Sequence, residues 1–120
     1  MSYVDGFVIP LGENGVEDYR KIAETARTVW LDHGAVDYKE CVLEDMKESE
    51  FGMGFKQLAG AKDGETVVLA YIVFKDRYHR DEVNAKVMAD KRLTEACDPN
   101  NMPFDCKRMA YGGFKTIVGE

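Results

Sequence analysis

The run Thr66-Val67-Val68-Leu69-Ala70-Tyr71-Ile72-Val73-Phe74 carries no charge, no glycine and no proline. β-Branched and aromatic residues dominate it, and Asp63-Gly64 supplies a turn just before it. A continuous apolar run of this length suits a central strand covered on both faces. A central strand needs neighbours on each side, so the rest of the chain is read outward from it.

Upstream lies a polar, glycine-rich excursion over residues 45–64 that includes Phe51-Gly52-Met53-Gly54-Phe55. It is too long for a tight hairpin and has the length of a covering loop or a dimer arm. Before it, Ala35 to Leu43 reads as a strand with Val36, Tyr38 and Val42 on one parity. Earlier still, Tyr19, Ile22, Ala23, Ala26, Val29 and Trp30 recur at helical spacing, with charged residues between them. Asn14 and Glu17 have the spacing of a capping box at the start of that helix, and Gly34 is placed to end it. Tyr3 to Pro10 reads as a first strand, apolar on both parities except for Asp5, and ended by Pro10 and Gly12.

Downstream, Asp76 can cap a helix running to about Asp90, with Val83, Val87 and Met88 on its buried stripe. Lys91 to Cys97 reads as a further helical piece, broken by Asp98-Pro99-Asn100-Asn101. The last strand is read from Lys107 to Val118, with Gly112-Gly113 marking a kink or a close backbone approach. The order is strand, helix, strand, then strand, helix, strand. That places the chain in the α+β class as one ferredoxin-like βαββαβ domain over residues 1–120, its four-stranded antiparallel sheet covered by helices on one face.

The chain has 120 residues, 45% hydrophobic and 32% charged, with a net charge of -6. That is the size of one domain with an ordinary core. The negative balance disfavours a nucleic-acid partner. No apolar run reaches the roughly 20 residues of a membrane helix, and no signal segment is visible. Three cysteines (Cys41, Cys97 and Cys106) show no paired spacing, so neither a disulfide framework nor a zinc site is expected. A reducing cytoplasm is the simplest compartment.

Several stretches also resemble the YbaA-like family of small bacterial proteins. They are Tyr3-Val4-Asp5-Gly6-Phe7, Gly34-Ala35, Glu40-Cys41, Arg80-Asp81 with Asn84, Met88-Ala89-Asp90, Met102-Pro103-Phe104-Asp105, Lys107-Arg108-Met109 and Tyr111-Gly112-Gly113-Phe114. The resemblance runs nearly end to end. It implies a ferredoxin-like subunit of the dimeric α/β-barrel group and carries no activity with it. The chain departs from the family pattern at Cys106, where glycine is usual, and at Lys91, where proline is expected after Asp90. The first departure bears on a tight turn before the last strand, and the second on an extension of the helix.

The residues that could carry chemistry are few. Asp5 in an apolar strand needs a partner, because an unpaired buried carboxylate is costly. Arg108 or Lys107 on the adjacent last strand is the expected partner. Glu40 reads first as a solvated or paired edge-strand residue, though it could share a pocket with Asp5 for acid-base work, and Cys41 reads as a small buried hydrophobe. His33 and His79 form no metal-spaced cluster. Arg80 and Asn84 share a helix face and read as structural. Trp30 and Tyr111 read as core or interface aromatics with hydrogen-bonded tips. No cofactor motif or nucleophile elbow is visible.

A four-stranded sheet with helices on one side leaves a second face to cover. Tyr3, Phe7, Val68 and Ile72 are assigned to that face, and a second copy is expected to cover it. The expected ligand pocket is lined by Asp5, Glu40, Arg108 and Tyr111, with Phe51 or Phe55 near its mouth. Three functions follow: a small-molecule-binding homodimer, a cofactor-free enzyme of the oxygenase or isomerase type, or a structural or interaction protein. A filled cleft favours the last. A hollow apolar pocket holding Asp5 or Glu40 with a displaced pKa favours the enzyme.

Overall fold

The computed structural model describes residues 1–47 and 50–119, so part of the excursion expected at residues 45–64 lies outside the described residues. The elements run β1 (Tyr3–Gly12), α1 (Val16–Asp32), β2 (Asp37–Val42), α2 (Phe55–Ala59), β3 (Glu65–Phe74), α3 (Arg77–Met88), α4 (Lys91–Ala96) and β4 (Ala110–Lys115), with single 3-10 turns at Glu13–Gly15 and Cys106–Arg108. The sheet order is β2-β3-β1-β4, and every neighbouring pair is antiparallel. This is the ferredoxin-like α+β arrangement expected from the order of elements, with β3 and β1 at the centre.

Register fixes which side chains share a face, because directly opposed residues point the same way. One row across the sheet is Tyr38, Ile72, Asp5 and Gly113; the next is Glu40, Ala70, Phe7 and Tyr111. Thr66, Val68, Ala70, Ile72 and Phe74 all lie on this face of β3 and all are buried. α1 lays Tyr19, Ala23, Ala26, Val29 and Trp30 over it. Val83 and Val87 of α3 and Leu93 of α4 complete the core beside Ile72 and Phe74. Burying such side chains stabilises the fold by about 1.5–3 kcal/mol each.

The opposite face carries Val4, Val8, Leu69, Tyr71, Val73 and Phe114. Leu69 is 44% exposed and Phe114 61%. Tyr3, Phe7, Val68 and Ile72 therefore face the helices, and the outward assignment made for them is corrected. Both parities of β1 and β3 are apolar, so alternation alone cannot say which one meets the helices. α2 packs against β1 and β3. It lies at the end where the outward-facing Pro10 and Val67 are buried, and Arg108 Nη2 donates to the Gly60 carbonyl there at 2.8 Å.

Several local expectations change. Asn14 sits in a 3-10 turn and makes no side-chain cap; α1 starts after Gly15. Gly34 does end that helix, at φ 109°, and Ala35 N–H bonds back to Trp30 O at 3.0 Å. β1 continues through Pro10 to Gly12, because β4 stops opposite Val8 and leaves one side of β1 open, where proline is tolerated. Asp76 caps α3 as expected, accepting from His79 N–H. Asp90 caps α4 separately, so Lys91 begins a new helix at the position where proline is also favoured, and does not extend α3. The turn at Cys106 forms without a positive φ, which is why it needs no glycine. Cys41 is exposed on the outer face of β2 rather than buried.

Candidate ligand cavity

Between the helices and the sheet lies a cavity of about 470 Å³. Its floor is Phe7 and Ile9 of β1 with Ala70 and Ile72 of β3; Ala23, Ala26 and Trp30 of α1 form the roof. Leu93 and Cys97 lie toward one side, and Met102, Phe104 and Met109 line the segment leading into β4. Two polar groups interrupt this apolar lining.

The first is centred on Asp5, whose side chain is 1% exposed. Arg80 Nη1 donates to Oδ1 at 2.7 Å, while Asn84 Nδ2 and the Tyr111 hydroxyl donate to Oδ2 at 3.2 and 3.3 Å. Arg80 and Asn84 are one turn apart on α3, so both reach down to the same strand position. Trp30 Nε1 donates to Asn84 Oδ1 at 2.9 Å and Arg80 Nη1 to the Tyr111 hydroxyl at 3.1 Å. The Arg80 guanidinium also lies 4.9 Å from the centre of the Tyr3 ring. With every polar tip engaged, this cluster forms a rigid, charge-compensated wall. Gly113 opposite Asp5 leaves room for it: a Cβ there would stand 2.5 Å from the Tyr3 hydroxyl.

The second is Glu40. Tyr19 and Tyr38 donate to its two carboxylate oxygens, each at 2.6 Å. Burial raises the Glu40 pKa, outweighing the two hydroxyl bonds that lower it. Burial and the adjacent carboxylate raise both tyrosine hydroxyls as well. Among the described residues no salt bridge reaches Glu40.

Asp5, Glu40 and Tyr111 thus line one cavity. The remaining expected site residues lie elsewhere. Arg108 pairs with Glu65 (Nη1 to Oε2 2.7 Å, Nη2 to Oε1 2.8 Å), so the pairing of Asp5 with Arg108 or Lys107 is corrected. The physical reason is that Lys107 and Arg108 belong to a turn capped by Asp105, ahead of β4, and not to the strand beside Asp5. Phe51 and Phe55 lie outside the cavity lining, at 96% and 44% exposure. The residues missed are Tyr19, Tyr38, Arg80 and Asn84. Tyr38 and Glu40, two apart on a strand, had to share a face. Arg80 and Asn84 had the matching helical spacing. Only Tyr19 depended wholly on how α1 crosses β2.

No group of three or more histidine, cysteine or carboxylate side chains among the described residues could hold a metal ion. Among those residues no helix is long and apolar enough to cross a membrane. Cys97 lines the cavity with its thiol pKa raised by burial, the condition of an unreactive cysteine.

The family described as Protein of unknown function (DUF1428) matches residues 2–106. The uncharacterized protein YbaA of Escherichia coli strain K12, and that of Shigella flexneri, are 36% identical over 120 residues, covering the whole of both chains. Among solved structures, SnoaB, a cofactor-independent oxygenase from Streptomyces nogalater, superposes with a TM-score of 0.56 at 13% identity. The alignment covers 98% of this chain and 95% of SnoaB. At that identity the likeness shows a shared fold alone.

Proposed function

Because the chain belongs to the DUF1428 family of proteins of unknown function, we propose its role from its own geometry: a homodimeric protein that binds a compact, largely apolar small molecule between its helices and its sheet. The observation that carries this reading is the cavity of about 470 Å³, apolar except for Glu40 and the Asp5 cluster. Ligand sites have this size and make-up, mostly hydrophobic with a few convergent polar groups. A structural or interaction protein would have no need of a hollow there.

Trp30 provides the test. It is the only tryptophan in the chain and it lines the cavity. Aryl compounds of one to three rings should quench or shift its fluorescence with saturation. Ala70→Leu, which fills the floor, should weaken that response at least tenfold while circular dichroism stays unchanged. A linear, non-saturating response in both proteins would overturn the binding reading.

A second reading, a cofactor-free enzyme of the oxygenase or isomerase type, is favoured by one feature: Glu40 is a half-buried carboxylate with no cation paired to it among the described residues. SnoaB's description as an oxygenase is that protein's own and adds only a precedent for chemistry on this fold.

A further inference from the structure

Glu40 faces two spaces. On one side is the apolar cavity. On the other is a groove of about 440 Å³ between α1 and β2, lined by Arg20, Arg27 and Lys39 among others. Tyr19, Tyr38 and Glu40 line both, so together they form the partition between an apolar chamber and a charged groove.

The two carboxylates of the chamber differ in kind. Asp5 accepts from three donors, one of them a guanidinium. Its charge is compensated and its geometry locked. Glu40 accepts one hydroxyl on each oxygen. A carboxylate has about four acceptor sites, so among the described residues each oxygen keeps one open. The two phenols hold the carboxylate still without neutralising it.

We propose that Glu40 is a general base that removes an acidic C–H proton from an α-aryl ketone or similar carbon acid bound in the cavity, and exchanges that proton with water through the charged groove. This deepens the binding reading above and rests on it. In the step, the C–H bond breaks and an O–H bond forms on Glu40. The C–H electron pair remains on the substrate as an enolate, delocalised onto its carbonyl oxygen. Return of a proton from Glu40 to the same carbon closes the cycle; in a β,γ-unsaturated ketone, return to the γ-carbon moves the double bond into conjugation. No oxidant or reductant is consumed. Tyr19 and Tyr38 are positioning residues, because they act through Glu40.

The substrate's shape follows from register. Glu40, Ala70, Phe7 and Tyr111 stand in one row on the four strands. Three strand spacings put the ends of that row about 14 Å apart. The floor between them is a methyl group and a phenyl ring, with the Phe7 and Tyr111 ring centres 5.0 Å apart. A flat molecule of up to about three fused rings matches that length, with its acidic carbon at the Glu40 end.

The probes are phenylacetone and 2-tetralone, which carry acidic C–H groups beside a carbonyl. Binding is read from Trp30 fluorescence, and deuterium uptake at the α-carbon in D2O is read by mass spectrometry. The expected result is saturable binding, with exchange about a hundredfold faster at the bound ketone than in buffer. Glu40→Gln should keep binding within about threefold and lose nearly all of that acceleration. Tyr19→Phe and Tyr38→Phe should keep binding and lose a part of it, each by more than threefold. Binding without accelerated exchange, or equal exchange in Glu40→Gln, would overturn the assignment of Glu40 while leaving the binding reading intact. Absence of saturable binding by both ketones would overturn the two together.

Discussion

Arg80 Nη1 lies 2.7 Å from Asp5 Oδ1, tying the first turn of α3 to the third residue of β1 with side chains only 12% and 1% exposed. Removing one partner leaves the other charge buried and uncompensated, at a cost of about 3–5 kcal/mol. Arg80→Met should therefore lower stability by that order in urea unfolding. Asp5→Asn introduced into the Arg80→Met background should cost much less than it does alone. Two equal losses would mean that Asp5 and Arg80 act independently.

Gly112 and Gly113 are adjacent but have different surroundings. A Cβ on Gly113 would stand 2.5 Å from the Tyr3 hydroxyl and 3.0 Å from Arg80 Nη1. On Gly112 the nearest atom, in the Phe114 ring, would be 3.5 Å away, an ordinary contact. Gly113→Ala should cost about 1–3 kcal/mol by forcing those side chains aside. Gly112→Ala should be close to neutral. Thermal melts of the two variants decide it, and similar melting temperatures would dissociate Gly113 from the Asp5 cluster.

Glu65 gives the fold a calculable acid dependence. Its hydrogen bonds from Arg108, and from the Lys62 N–H, lower its pKa from about 4.5 to about 2. A carboxylate with a depressed folded pKa contributes stability that is fully present above its unfolded value. That contribution is lost as pH falls from about 4.5 to about 2. Glu65→Gln should be less stable than the parent near neutrality, and the gap should close by pH 2. Asp90, held low by Arg92 and His33, titrates alike in both proteins and cancels in the comparison. A gap that stays constant with pH would place the effect in packing and not in ionisation.

The fold was legible because its strongest signals were local. β3 declares itself by eight successive apolar residues, α1 by its stripe, and the order of elements then selects the topology. The parts that went astray depended on contacts distant in sequence. Arg108 reads as a strand residue because the turn capped by Asp105 looks like the start of a strand when only composition is read. The face of β1 and β3 that meets the helices is not legible from alternation, because both parities are apolar. Of the candidate site, Asp5 stands out as a carboxylate in an apolar strand, whereas Glu40, beside Lys39, reads no differently from a solvated edge-strand residue. Their true partners needed the crossing of α1 and α3 over the sheet, which no spacing within one element encodes.

The sheet face turned away from the helices is apolar and partly open. Val4 and Val8 of β1 lie opposite Val73 and Leu69 of β3, with Tyr71 between those two opposite Gly6 and Phe114 beside Val4 on β4. Leu69 at 44% and Phe114 at 61% exposure leave an apolar surface in the middle of the sheet, and Phe55 and Leu58 of α2 add 44% and 60%. A second copy meeting this face through a two-fold axis presents the same surface to itself. A stable contact of that kind buries about 800 Å² on each partner. Light scattering at micromolar concentration should give twice the mass of one chain. Leu69→Lys puts a charge at the centre of the patch and points away from the helix-side core, so the chain should still fold. It should weaken self-association at least tenfold, roughly 1.4 kcal/mol. A parent protein with the mass of a single chain at every concentration would rule the dimer out. A Leu69→Lys variant that stays dimeric would move the interface off this face of the sheet.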